Sequence, residues 1–390
     1  MKKKILISAS LFHALNDATA VTVPMIFPLL FSQQFILKRY SHIGILSNLG
    51  LFVTFLFQIV IAHHAHKFEY RRMLLLSILG ISVSLLLITL SGNFLSMLLF
   101  YLLMRVFTSL YHPVGIATVS RTHPDQGLDF AMGIQSGSGN LGVFSAFILA
   151  GFLAQNFGWK MPLYACAMAS FALGLSSFLF VRNISLKREQ PIKPDFASWI
   201  KTLKDIKSYV LGFVFGGACW GTTVYYAPSL FNHKYKVPLG NTGVFLASWI
   251  GIGTVMTYSY GYLSKRIGRE KASIASFIGS TFFLFLLGVS SILELAVIGL
   301  FFYGAFLFLV YPVFQSFVAK KVPESNHVVA FSIVANIQML TGSFIVLISG
   351  FLSDRFGINS PFLFLTLLGI ITLVNYLLPK GSPLKVKHPS

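Results

Sequence analysis

The sequence predicts an all-α membrane protein of twelve transmembrane helices in two related six-helix halves. Three observations carry this prediction: an apolar composition, apolar stretches long enough to span a bilayer, and a pattern that recurs at a fixed separation. The 390-residue chain is 55% hydrophobic and 11% charged, with a mean hydropathy of +0.76, whereas soluble domains carry about a quarter charged residues. The bilayer, rather than water, is therefore the expected solvent of most of the chain.

Apolar stretches of about 18 residues or more recur along the whole chain, and each can cross a hydrocarbon core of roughly 30 Å as a helix. Transmembrane strands would instead show segments of about ten residues that alternate in polarity, and these stretches do not alternate. We therefore predict helices rather than a barrel. The predicted spans are residues 5–31, 42–62, 73–91, 94–118, 130–152, 161–181, 209–231, 242–263, 272–290, 295–318, 328–351 and 360–379.

The formal net charge of +19 suggests nucleic acid as a partner, but the placement of the basic residues argues against it. With both termini in the cytosol, 23 of the 30 Lys and Arg residues fall on the cytosolic side of the spans and six on the other side. This asymmetry is the positive-inside pattern of membrane proteins. We therefore expect a multi-pass protein of the plasma membrane, the inner membrane of a bacterium, that contacts the lipid bilayer and binds no nucleic acid.

A pattern in the first part of the chain recurs at a constant separation of 199 residues. The matched positions are Pro113 with Pro312, Pro124 with Pro323, Gly151 with Gly350, and Pro162 with Pro361. Anchors that share one register over such a distance indicate a duplication. We predict an N-terminal six-helix half at 1–181, a basic cytosolic linker at 182–208, and a C-terminal six-helix half with a short cytosolic tail at 209–390. A short amphipathic helix is expected near residues 199–207 of this stretch.

Two six-helix halves, each with a charged turn after its second helix, resemble the major facilitator superfamily of secondary transporters over the whole chain. The family's turn reads roughly Gly-x-Leu-Ala-Asp-Arg-x-Gly-Arg-Arg. The second half matches it at Gly261, Leu263, Arg266, Gly268 and Arg269, with Lys265 in place of Asp. The first-half copy is more divergent and keeps Ala65, Lys67 and Arg71. The resemblance implies the major facilitator fold, alternating access, and a gating role for the two turns.

Three short motifs carry a narrower resemblance. They are His13-x-x-Asn16-Asp17 followed by Pro24 and Pro28, Tyr111-His112-Pro113, and Gly139-Asn140-x-Gly142. Together they resemble the fosmidomycin-resistance efflux group. That resemblance implies export of a small anionic or amphiphilic compound against a proton gradient.

Asp17 and Arg105 are charged residues predicted to lie deep inside spans. At 1.5 Å per residue each lies about 17 Å from one membrane face, near the midplane. Charged side chains at that depth usually face a water-filled pathway, so we predict that Asp17 carries the coupling proton and that Arg105 binds substrate. The alternative is a permanent Asp17–Arg105 ion pair that only fixes helix packing, and the sequence leaves open whether the two residues touch.

Polar neighbours extend these two candidates. His13, Asn16 and Asp17 stand at i, i+3 and i+4 and share one helix face, which makes His13 a second proton candidate and Asn16 a substrate contact. The equal alternative for His13 is a hydrogen bond donated to a neighbouring helix. Tyr111 and His112 are predicted to contact substrate. For His112, two turns beyond Arg105, the alternatives are a gate residue or a cap at the cytosolic side.

Conformational change is predicted to involve small residues and a proline. Pro113 removes a backbone hydrogen bond and allows a bend. Small residues let helices approach closely and slide, so the glycines of the fifth span are expected to form a moving seam between the halves. These are Gly133, Gly137, Gly139 and Gly142.

The second half has no acidic residue at membrane depth, because the 199-residue offset places Gly216 opposite Asp17. It offers instead polar and aromatic side chains that we expect to line the substrate cavity. Interhelical hydrogen bonding is the alternative role for each of them. They are Trp220, Tyr225, Tyr226, Tyr311, Gln315, Asn336 and Gln338.

The leading prediction is a proton-coupled antiporter that exports a small organic compound, anionic or drug-like, with the compound and protons as its partners. Proton symport or uniport uptake of an anionic metabolite is the first alternative, and a non-transporting membrane receptor or sensor is the second. We predict no catalytic residues, because the spans lack paired acids and nucleophile–base spacings. No cofactor or metal is predicted, since His63, His64 and His66 have no acidic or cysteine partner besides Glu69. A monomer is expected.

Overall fold

The computed structural model describes residues 2–32, 36–64, 69–123, 128–180, 196–323 and 327–378. The first six helices are α1 (Lys2–Ser32), α2 (Tyr40–His64), α3 (Tyr70–Ile88), α4 (Phe94–Thr122), α5 (Leu128–Phe157) and α6 (Lys160–Phe180). The later helices are α7 (Phe196–Ile206), α8 (Val210–Ser229), α9 (Leu239–Ile267), α10 (Arg269–Val289), α11 (Leu293–Lys321), α12 (His327–Phe356) and α13 (Ser360–Leu377). The regular structure of these ranges is helical throughout, which confirms the predicted all-α class.

Eleven stretches of the described residues are long and apolar enough to cross a membrane. They correspond to eleven of the predicted spans, and the remaining predicted span is the 21-residue helix α6. Helices satisfy every backbone hydrogen bond within the segment, which the bilayer core requires. The chain is thus a multi-pass membrane protein.

The chain folds as two compact units. One comprises Met1–Ile192 and Phe231–Ala247, and the other comprises Lys193–Leu230 and Ser248–Ser390. In the first unit α1 packs on α4, α5 and α6, and α3 packs on α4 and α6. In the second unit α8 packs on α11, α12 and α13, and α10 packs on α11 and α13. These pairings coincide when each helix is replaced by its counterpart 199 residues later. The boundaries 1–181, 182–208 and 209–390 remain a prediction from the repeat.

Individual contacts also recur at the same offset. A Cβ atom on Gly80 would meet the ring of Phe107, and a Cβ atom on Gly279 would meet the ring of Phe306. Each glycine therefore lets a phenylalanine of the neighbouring helix lie against the helix backbone. The tight crossing of α3 with α4 is thus repeated between α10 and α11.

Helix α4 carries several candidate site residues, and its own sequence explains its start. The side chain of Asn93 accepts a hydrogen bond from the backbone N–H of Ser96, and the Ser96 side chain returns a bond to the Asn93 backbone. This reciprocal cap satisfies N–H groups that the first turn leaves free. The helix then continues through Pro113 to Thr122, so the candidate residues Arg105 and His112 lie on the same helix.

The predicted amphipathic helix near 199–207 is present as α7 (Phe196–Ile206), which confirms the helix. Thr202 and Ile206 are buried, whereas Lys201 and Lys204 are exposed. Helical spacing places the two buried side chains on one face and the lysines on the other. Residues 182–195 of the predicted linker lie outside the described residues.

Candidate functional site

The first unit brings Asp17 together with two histidines. Oδ2 of Asp17 lies 3.1 Å from Nε2 of His13, one turn earlier on α1, and Oδ1 lies 3.4 Å from Nε2 of His112 on α4. The side chains are 24%, 10% and 39% exposed for Asp17, His13 and His112 respectively. The cluster is therefore mostly buried, with His112 as its most open member.

The second nitrogen of His13 fixes the protonation chemistry of the pair. Nδ1 lies 2.7 Å from the carbonyl oxygen of Gln135 on α5. A carbonyl oxygen only accepts, so Nδ1 donates its hydrogen to Gln135. Nε2 then meets Asp17 either with a hydrogen of its own or as the acceptor of a carboxylic acid proton. The 3.1 Å contact thus requires one proton between His13 and Asp17.

A second layer holds the His13 ring in place. Tyr111 stacks on His13 with ring centroids 5.0 Å apart. Its hydroxyl donates to the carbonyl oxygen of Ala9 at 2.7 Å and accepts from Nε2 of Gln135 at 3.0 Å. Tyr111 and Gln135 are both 1% exposed, so Tyr111 positions the histidine rather than contacting substrate in this structure. Gln135 was missed from the sequence, where the available signal was an amide side chain within an apolar span.

Glycines of α5 make room for the cluster. A Cβ atom on Gly139 would lie 2.7 Å from Oδ2 of Asp17 and 2.8 Å from Nε2 of His13, and one on Gly142 would meet the backbone of Ala14. Both glycines thus let α5 approach α1 within the first unit. By contrast, a Cβ atom on Gly133 would meet nothing within 4 Å. The predicted glycine seam at 133, 137, 139 and 142 therefore divides into a packed part and an open part.

Asn16 extends the polar face of α1. Its Nδ2 donates to Oδ1 of Asp17 at 3.1 Å. The residue is 4% exposed, and its Oδ1 is buried with no hydrogen-bond partner among the described residues. The amide thus adds a third contact to the Asp17 carboxylate.

Arg105 does not join this cluster. Among the described residues, no carboxylate lies within 4.0 Å of its guanidinium, and the Asp17 carboxylate has the two histidines as its ion-pair partners. Nε of Arg105 donates instead to the carbonyl oxygen of Gly50 on α2 at 3.3 Å. The permanent Asp17–Arg105 pair considered from the sequence is therefore wrong for this structure, because α4 presents His112 rather than Arg105 to α1.

The second unit places an aromatic cluster at its own helix crossings. Trp220 lies 5.4 Å from Trp249 and 5.9 Å from Phe308 between ring centroids, and Phe308 lies 5.9 Å from Tyr311. The hydroxyl of Tyr311 donates to the carbonyl oxygen of Gly216 at 2.9 Å. Trp220 and Tyr311 are partly exposed, so each presents a surface as well as a packed edge.

The other residues predicted to line this wall differ in exposure. Gln315 is exposed, and Asn336 and Gln338 are partly buried. Tyr226 is fully buried and donates to the carbonyl oxygen of Val346 at 2.9 Å, and Tyr225 is 4% exposed. Both side chains are therefore enclosed by helix packing in this structure, and their contact with substrate stays a prediction.

The same offset relates the two clusters. His112 and Asp17 correspond to Tyr311 and Gly216, and both pairs are in contact. Gly139, beside Asp17, corresponds to Gln338, whose Nε2 would lie 3.6 Å from a Cβ atom on Gly216. One crossing thus carries ionisable groups in the first unit and neutral polar groups in the second.

The charged turns that follow the second helix of each half differ in backbone conformation. Gly268, which directly precedes α10, has φ +84°, whereas its counterpart Glu69, which precedes α3, has φ −70° and pairs with Arg72 at 2.8 Å. The positive φ explains why the second copy keeps glycine. Gly261 has open space around it, Arg266 reaches the Tyr262 hydroxyl at 3.4 Å, and Arg269 is partly buried. Arg71 lies in the first turn of α3, and Lys67 lies outside the described residues.

The ligand atoms of His13, Asp17 and His112 lie within 4.8 Å of one another. That spacing suits a shared proton and would also admit a small cation. Because the Asp17 carboxylate faces both histidines, a proton satisfies the arrangement without any further group.

Solved structures share this fold. A bacterial homologue of the human lysosomal transporter Spinster superposes with a TM-score of 0.85 at 14% identity, covering 97% of this chain and 96% of that one. The nucleoside transporter NupG gives a TM-score of 0.78 at 12% identity, covering 96% and 99%. A POT family transporter in complex with 5-aminolevulinic acid also gives 0.78 at 12% identity, covering 98% and 96%.

Sequence comparisons agree with the fold. An uncharacterised MFS-type transporter of Methanocaldococcus jannaschii is 24% identical over 300 residues, which cover 74% of this chain and 77% of that protein. The family model of the Major Facilitator Superfamily matches residues 6–271 and 254–390. The chain therefore belongs to the Major Facilitator Superfamily of transporters.

Proposed function

We propose that this chain is a proton-coupled secondary transporter that exports a small organic compound by alternating access. The observation that carries the proposal is the His13–Asp17 contact, because the hydrogen bond from His13 to Gln135 leaves one proton to be shared between them. A proton shared between an imidazole and a carboxylate can leave without any rearrangement of the surrounding backbone. The His13–Asp17–His112 cluster is thus suited to load and release a coupling proton.

Coupling follows from the charge of the cluster. Loss of the shared proton lowers the charge of the cluster by one, and a change of charge inside a membrane alters the relative free energy of conformations that differ in hydration. His112 is more exposed than His13 and lies on a different helix from Asp17. A movement of α4 relative to α1 would therefore change the surroundings of the carboxylate.

In this proposal the two units have different roles. Proton binding belongs to the first unit, because the second has Gly216 where the first has Asp17. The second unit offers Trp220, Tyr311 and Gln338, whose partly exposed aromatic and amide groups suit an organic compound. The distribution of the basic residues supports a plasma-membrane protein with both termini in the cytosol.

Export is the proposed direction because the His13, Tyr111 and Gly139 motifs resemble those of the fosmidomycin-resistance efflux group. Uptake of an anion is the second candidate, and the buried cation of Arg105 favours it. The solved relatives named for a nucleoside and for 5-aminolevulinic acid support a small polar organic compound as cargo. Flux assays under opposite pH gradients would separate export from uptake.

The experiment is a proton-flux assay in proteoliposomes with a pH-sensitive dye, using a panel of amphiphilic and phosphonate compounds with EDTA present. The wild type should show compound-dependent proton movement, and Asp17→Asn should lose it. Glu294→Gln is the matched control, because it removes one carboxylate at the exposed start of α11. Proton movement that persists in Asp17→Asn, or solute flux that is independent of pH, would overturn the proposal.

A further inference from the structure

Arg105 is a buried cation whose charge has no protein partner among the described residues. The residue is 6% exposed in the middle of α4, and among the described residues its side chain makes one hydrogen bond, from Nε to the carbonyl oxygen of Gly50. Its terminal nitrogens Nη1 and Nη2 make no hydrogen bond to a described residue, which leaves four N–H groups to donate.

The second unit shows that the helix crossing does not require this charge. At the 199-residue offset, Gly50 corresponds to Trp249 and Arg105 to Gly304. A Cβ atom on Gly304 would lie 2.5 Å from Cδ1 of Trp249. In the first unit the ring of Tyr101 and the aliphatic stem of Arg105, both on α4, lie over Gly50 of α2. In the second unit the large neutral side chain of Trp249 on α9 lies over Gly304 of α11. The neutral arrangement packs the same crossing, so packing alone does not explain Arg105.

The position of Arg105 relates it to the proton cluster. Arg105 and His112 stand seven residues apart on α4, which places them on one helix face about 10.5 Å apart along the axis. That separation matches a small organic molecule with one end at each residue. Thr54 donates weakly to the backbone oxygen of Arg105 at 3.5 Å, which leaves the guanidinium itself free of this contact.

We propose that Arg105 binds an oxyanion of the transported compound, a carboxylate or a phosphonate, through its two terminal nitrogens. A planar guanidinium donates two parallel hydrogen bonds to such a group and remains charged at all physiological pH values. The inference rests on the proposed transport function and adds the chemical class of the substrate. It also explains why a cation is retained where the second unit has glycine.

The test measures thermal unfolding of the purified full-length chain in detergent with matched pairs of probes at constant ionic strength. Benzoate is compared with benzamide, and phenylphosphonate with its diethyl ester. A ligand that binds the folded chain raises the unfolding temperature. We expect the anions, and not their neutral partners, to stabilise the wild type. Arg105→Gln should weaken the apparent affinity about tenfold or more, since charge-assisted hydrogen bonds are lost.

Two further variants keep the result decisive. Lys160→Gln removes one exposed positive charge at the start of α6 and should bind as the wild type does. Arg105→Lys retains the charge without the fork and should give intermediate affinity, which also covers the case that Arg105→Gln does not fold. Equal stabilisation by neutral probes, no stabilisation of the wild type by either anion, or unchanged affinity in both Arg105 variants would overturn the inference.

Lipid phosphate is the other source of the same chemistry. Nanodiscs of phosphatidylcholine with and without phosphatidylglycerol distinguish a lipid headgroup from a soluble substrate. Arg105-dependent stabilisation by phosphatidylglycerol that the soluble anions do not compete away would assign the site to a lipid headgroup. That result would overturn the proposal that Arg105 binds the transported compound. The two proposals also fail separately. Anion binding without proton movement would remove the proton coupling alone, whereas Asp17-dependent proton movement with neutral compounds would remove the role of Arg105 alone.

Discussion

Nε2 of His112 on α4 lies 3.4 Å from Oδ1 of Asp17 on α1, and the residues at the equivalent positions in the second unit, Tyr311 and Gly216, also form a hydrogen bond. One helix crossing thus has an ionisable version and a neutral version in the same chain. The second unit provides an internal reference for which polar groups the fold itself needs.

Replacing His112 by Gln should slow compound-dependent proton movement by about tenfold, because the Asp17 carboxylate loses one charge-assisted contact while His13 remains. Proteoliposome proton flux measures the effect. His123→Gln is the control, since His123 directly follows α4 and contacts Thr122 at the end of that helix. A rate equal to the wild type in His112→Gln would show that His112 takes no part.

Gly139→Ala should destabilise the protein by about 1–3 kcal/mol, because the new methyl group would overlap Asp17 and His13. Thermal unfolding in detergent provides the measurement. Gly133→Ala on the same helix meets open space and should be neutral or stabilising by up to about 1 kcal/mol. Equal effects of the two substitutions would contradict the close crossing of α5 with α1.

Tyr226→Phe should lower stability by about 1 kcal/mol, because it removes the bond to the carbonyl oxygen of Val346 inside the second unit. Transport should be unaffected, because the ring is fully buried. Trp220→Ala should instead weaken substrate affinity, which the concentration dependence of flux would reveal. An affinity loss in Tyr226→Phe alone would reverse these roles.

Gly158→Ala and Gly357→Ala should each cost about 1 kcal/mol, because these equivalent glycines follow α5 and α12 with φ +84° and +90°. Unfolding temperatures of the two variants should fall by similar amounts. Gly92→Ala serves for comparison, since its surroundings are open and its φ is not positive. A lower unfolding temperature in only one of the two variants would show that the two turns are not energetically equivalent.

The helices and the family resemblance were predictable, whereas the composition of the site was predictable only in part. His13 and Asp17 share a helix face by spacing alone, and the structure places them in contact. The contacts of Gln135 with His13 and of Gly50 with Arg105 were not found, because each uses a backbone oxygen, and any residue has such an oxygen. Tyr226 was assigned to the substrate wall because residue type does not reveal enclosure by α12.

The sequence by itself determined the transmembrane helices and the 199-residue register, because the bilayer imposes a local requirement of length and apolarity that composition records directly. The tertiary structure alone decided that His112, and not Arg105, reaches Asp17. That outcome depends on the rotation of α4 about its axis and on its crossing with α1. Those quantities are set by contacts between helices, such as the passage of α5 at Gly139, which no local pattern encodes.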